Sequence, residues 1–95
     1  MYVNFLEELP DELFSNLVNL QWLYLSDNQL QYLPPMIFSN NTKLIKLQLQ
    51  NNKLQGLNET LFHGLRNLKE LWLQDNNIQE LPATIFKDLV NLDEL

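Results

Sequence analysis

Hydrophobic positions along the chain recur in a single phase of 24 residues. Leu6, Leu30, Leu54 and Ile78 share one track, and Leu9, Leu33, Leu57 and Leu81 share another. Leu20, Leu44, Leu68 and Leu92 form a third, and Leu23, Leu47, Leu71 and Leu95 a fourth. Leu25, Leu49 and Leu73 lie beside that last track. Within it, Leu23 and Leu25 alternate with Trp22, Tyr24 and Ser26. A period of two reads as a short strand with leucine facing inward. Strands are therefore predicted over residues 22–26, 46–50 and 70–74. Each is one full period from the next, so the connections are crossovers and the strands parallel. One unit cannot bury its own leucines; stacked units bury each other's.

Two further tracks carry the same step. Asn4, Asn28, Asn52 and Asn76 follow the strands at a turn. A side-chain amide there can donate to and accept from backbone groups that burial cuts off from water. Phe14, Phe38, Phe62 and Phe86 read as a spine between the sheet and the opposite side, since a buried aromatic fills much volume. Pro10, Pro34 and Pro82 mark a turn, with Asn58 in the remaining slot. The chain thus divides into a partial unit, 1–19, three full units, 20–43, 44–67 and 68–91, and the start of another, 92–95.

The unit L-x-x-L-x-L-x-x-N-x-L-x-x-L-P-x-x-x-F-x-x-L resembles the leucine-rich repeat in its 24-residue extracellular form, and the resemblance covers the whole chain. Similar units build the ectodomains of Toll-like receptors, Slit-type guidance proteins and variable lymphocyte receptors. The resemblance implies an α/β solenoid, with a parallel sheet on the concave face and short helical turns and loops on the convex side. It also implies a non-catalytic, protein-binding part of a secreted or cell-surface glycoprotein, with immune recognition among the roles of such relatives.

Positions that break the pattern carry information. Asn41 stands where Leu17, Leu65 and Leu89 stand. One reading is a locally loosened return loop. The other is glycosylation, because Asn40-Asn41-Thr42 and Asn58-Glu59-Thr60 both match the N-x-[ST] acceptor pattern, with Asn40 and Asn58 as acceptors. Asn58 is the better placed, opening a turn where its counterparts carry proline. Relatives carry cysteine-bonded caps and this chain has no cysteine, so it is expected to be an internal segment of a longer receptor-like protein. Uncapped ends expose leucines and strand edges, which invites self-association, a twofold dimer before an open stack. Both end segments are acidic, so salt should strengthen that contact. Residues 92–95, Leu-Asp-Glu-Leu, lack the first residue of a retention signal and fit the repeat.

Composition removes several classes of function. The net charge of −6 argues against nucleic acid, whose partners present basic surfaces. No cysteine, one histidine and two glycines leave no thiolate metal site, no histidine cage and no glycine-rich phosphate loop. No cofactor or metal is implied. No 18-residue apolar run exists to span a membrane, and no signal peptide opens the chain. His63, with no nucleophile in phase, reads as a surface residue, and no enzymatic constellation emerges. Asp27 and Asp75 are two units apart, about 10 Å at a strand spacing of about 4.8 Å. Calcium oxygens converge to about 2.4 Å from the ion, so these two form a solvated acidic rim.

Function is left to the outward positions of the strands, because the inward ones are committed to packing. By phase, the first column holds Trp22, Lys46 and Glu70, and the second Tyr24, Gln48 and Trp72. The third holds Tyr2, Ser26, Gln50 and Gln74, and the fourth Val3, Asp27, Asn51 and Asp75. Trp and Tyr dominate interface hot spots, so Trp22, Tyr24 and Trp72 are expected as anchors, with Lys46, Gln48 and Glu70 giving orientation. Charge is segmented: residues 43–69 carry Lys43, Lys46, Lys53, Arg66 and Lys69 against Glu59, between acidic flanks. That pattern suits a partner with an acidic centre and basic edges. Two readings stand: a protein-recognition module, and a structural spacer in a longer solenoid. A spacer should show short polar residues on this face, so its aromatics favour the first.

Overall fold

The computed structural model describes residues 9–10 and 12–92. Three strands, β1 (Trp22–Tyr24), β2 (Lys46–Gln48) and β3 (Glu70–Trp72), form one parallel sheet in the order β1-β2-β3. Trp22 pairs with Lys46 and Lys46 with Glu70, so the register is the sequence period itself. Leu23, Leu47 and Leu71 point inward and are fully buried, as are Leu25 and Leu49 in the next inward positions. Leu30, Leu54, Leu44 and Leu68 complete a core that runs through the stack.

The strands are shorter than the five residues predicted for each. Inter-unit bonding does continue: Leu25 N–H donates to Gln48 O and Leu49 N–H to Trp72 O, both at 2.8 Å. Asp27 and Asn51 N–H donate to Gln50 and Gln74 O at 3.2 and 3.1 Å. At that point Asp27, Asn51 and Asp75 take positive φ of 60°, 60° and 58°, which turns the chain out of the sheet. Asn and Asp tolerate this left-handed conformation better than other side chains.

The convex side also departs from the expectation of short helical turns. Among the described residues no helix forms. Instead, i→i−3 bonds fall on alternate residues: Ile37 N–H to Pro34 O, Ser39 to Met36 and Asn41 to Phe38, at 3.0–3.1 Å. Leu61, His63 and Leu65 repeat the pattern, and so do Ile85, Lys87 and Leu89. Bonds on every second residue make a string of separate turns rather than a continuous ladder. Inside it, Phe14 and Phe38 stack at 6.3 Å between ring centroids, and Phe62 and Phe86 at 6.2 Å. Both distances lie in the range aromatic pairs prefer.

Asn4, the first of its track, Tyr2, Val3 and the end segments behind the self-association expectation lie outside the described residues.

Candidate functional site

The asparagine track holds the edge from which the outward face is built. Asn52 Nδ2 donates to Leu49 O of its own unit at 3.0 Å and to Leu25 O of the preceding unit at 2.9 Å. Its Oδ1 accepts from Leu30 N–H at 3.2 Å. Asn76 repeats this with Leu73 O, Leu49 O and Leu54 N–H. Asn28 donates to Leu25 O at 2.8 Å. Asn52 and Asn76 therefore each pair backbone groups of two neighbouring units, those around Asn52 being buried. The strand ends are fixed at the positions where the left-handed turns begin.

On the outward face the first row is coupled through one lysine. Lys46 Nζ lies 5.9 Å from the centroid of the Trp22 ring and 3.4 Å from Glu70 Oε2. A cation over an aromatic face is attracted by the ring quadrupole, and Glu70 offsets the charge. Trp22 remains 55% exposed, while Lys46 and Glu70 are half-buried. In the second row Tyr24, Gln48 and Trp72 are half-buried. In the third, Gln50 Nε2 donates to Gln48 Oε1 at 3.3 Å, and Gln50 Oε1 is buried without a donor among the described residues. Gln74 is exposed. The rows thus form a surface with aromatic corners and amides between them.

Two of the central cations meet carboxylates: Lys46 pairs with Glu70 at 3.4 Å, and Arg66 lies 3.9 Å from Asp88. The fourth column lies past the strand ends: Asp27, Asn51 and Asp75 sit in the left-handed turns, and Asn51 Nδ2 donates to Asp27 Oδ1 at 2.9 Å. Among the described residues no group of three or more acidic, histidine or cysteine side chains could hold a metal ion.

Convex residues that the sequence left unassigned prove structural. Asn41 is fully buried, and its Nδ2 donates to Phe14 O at 3.0 Å and Leu17 O at 3.1 Å. The loosened loop is thereby overturned: a polar side chain in a leucine slot ties one unit to the one before. Asp88 escaped the sequence reading altogether. Its Oδ2 accepts from Gly64 N–H at 2.9 Å and from His63 Nδ1 at 2.9 Å. The Gly64 amide is the main cause holding its carboxyl below the ordinary value of 3.8, with the charges of His63, Arg66 and Lys87 acting in the same sense and desolvation opposing them. The available signal was phase, since Asp88 lies one period from Gly64. The two candidate acceptors differ as well. Asn40 Nδ2 is turned back onto Ser15 O at 3.1 Å, whereas Asn58 uses Oδ1, accepting from Thr60 N–H at 2.9 Å and Thr60 Oγ1 at 2.6 Å.

The family model for the leucine-rich repeat matches residues 3–53 and 42–95. The chain belongs to the leucine-rich repeat family, a protein-interaction framework. Among solved structures it is similar to Toll from Drosophila, described in its complex with Spatzle as a hub in development and innate immunity. The TM-score is 0.73 at 30% sequence identity, over 96% of this chain and 16% of that one. The chain therefore spans about one sixth of that neighbour's length. A search of curated proteins finds no significant match. Among the described residues no helix is long and apolar enough to cross a membrane.

Proposed function

We propose that this chain recognises a protein partner through the outward face of β1–β3, as part of an extracellular or cell-surface protein. The observation that carries the reading is Trp22. It stands 55% exposed on a strand whose inward leucine is fully buried, so packing does not require it. Tyr24 and Trp72 share its face, and Lys46 is held beside it between ring and carboxylate. Large apolar surface on a rigid sheet is the usual mark of a contact site. The extracellular setting draws support from the likeness to Toll, solved in complex with Spatzle. Gln48, Gln50, Glu70 and Gln74 supply polar groups around the anchors.

The test is a surface-displayed library of extracellular domains probed with the 95-residue chain. A Trp22→Ala/Trp72→Ala double variant serves as counter-probe, and convex Val90→Ser, altering a side chain that is 65% exposed, serves as control. Binders kept by the control and lost by the double variant support the proposal. Binders held equally by all three, or none at all, favour the spacer.

A further inference from the structure

The turn that opens the convex side of the second full unit differs from its neighbours in one slot. Tyr32, Gly56 and Glu80 occupy equivalent positions. A side chain built at Gly56 would meet nothing within 4 Å, so this position opens to solvent. Tyr32 stands 61% exposed beside it. A shallow, open depression in the surface there is lined by Gln31, Tyr32, Gln55, Gly56, Leu57 and Asn58. Its chemistry is one aromatic face among amide side chains, with no lysine or arginine. The same lining contains the Asn58 of the Asn58-Glu59-Thr60 acceptor pattern.

The geometry points to Asn58, and not Asn40, as an N-glycosylation site whose first sugar lies over Gly56 in the open depression, against Tyr32. The assignment rests on the extracellular part of the reading above. Asn58 Oδ1 is engaged by both the backbone and the hydroxyl of Thr60, and its Nδ2 makes no hydrogen bond among the described residues. In the transfer, Nδ2 bonds to C1 of the terminal sugar of a lipid-pyrophosphate-linked oligosaccharide. The C1–O bond to pyrophosphate breaks, the pyrophosphate leaves with the electron pair, and Nδ2 gives up one of its two protons. Oδ1 stays a carbonyl, so both bonds from Thr60 survive the modification. At Asn40 the reacting nitrogen is occupied by Ser15 O, and Asn41 beside it is fully buried. The apolar C–H face of a pyranose suits the electron-rich face of a tyrosine ring, and Gln31 and Gln55 offer donors and acceptors to its hydroxyls.

The experiment secretes the chain from a mammalian host behind a signal peptide, which routes it past the transferase whatever its natural compartment. Peptide mass mapping is expected to find a glycan on Asn58 and none on Asn40. A bare polypeptide, or occupancy favouring Asn40, overturns the assignment. For the seat, the glycan is trimmed to its first sugar and melted against Asn58→Gln. A rise in Tm on the order of a few degrees is expected, disappearing when Tyr32→Ala is added to the glycosylated chain. A rise that persists without Tyr32, or no rise, overturns the seating. Partner capture by Asn58→Gln should match the parent, so a failure here is separable from a failure of the concave-face reading.

Discussion

The same three strands carry two populations of side chain that alternate residue by residue. Leu23, Leu47 and Leu71 face inward, fully buried and in register. Trp22, Lys46 and Glu70, one residue earlier, and Tyr24, Gln48 and Trp72, one residue later, face outward. The inward set is uniform because each leucine packs on copies of itself above and below, and any change is felt by two neighbours. The outward set varies freely from unit to unit, because the ladder beneath it is held by backbone bonds and the asparagine amides. Stability and the proposed recognition thus fall on opposite faces of a sheet one residue thick, and each can be altered while the other is watched.

The sharpest break should come from the spine behind the inward face. Phe62→Ala removes a fully buried ring stacked on Phe86 and should cost about 3–5 kcal/mol in denaturant unfolding. Asn52→Ala should cost about 1–3 kcal/mol, because Leu30 N–H loses its acceptor and Leu25 O keeps only the Asn28 amide of its two donors. Acid should separate the convex side further. The lowered carboxyl of Asp88 contributes stability that is present above its ordinary value of 3.8 and lost as pH falls through its folded-state value. Tm measured from pH 5 downward should therefore drop less steeply in Asp88→Asn than in the parent. The smallest effect belongs to the outward face. Lys46→Met removes a partly exposed ion pair and a ring contact, and unfolding should change by no more than about 1 kcal/mol.

Much of this arrangement was legible in the chain because the period of 24 is the register: residues one period apart are bonded partners. The membership of the first two outward rows followed from alternation alone. Strand length did not, since the alternation runs on through Leu25–Ser26, Leu49–Gln50 and Leu73–Gln74, whereas the strands end at Tyr24, Gln48 and Trp72. The convex side was less legible again. Short helical turns there were implied only by the resemblance, and the alternate-residue bonding shows a string of turns instead of a helix. Asn41 and Asp88 were misjudged or missed for one reason. Each bonds a residue one period or more away, Leu17 and Phe14 in one case and Gly64 in the other. Reading each slot for its own burial does not reveal a bond between units. The pairing of Lys46 with Glu70 is of the same kind, adjacent only after stacking.

The central claim is that the outward aromatics recognise a partner and do not hold the fold. It is tested most directly by taking Trp22→Ala/Trp72→Ala and Phe62→Ala through one paired measurement, thermal unfolding and binding to a library-selected partner. For the tryptophan variant the account expects a Tm close to the parent's and an affinity lower by a factor of about 30 or more, the equivalent of a hot-spot loss of about 2 kcal/mol. For Phe62→Ala it expects a large fall in Tm. A tryptophan variant that melts early, or that binds as tightly as the parent, would contradict it.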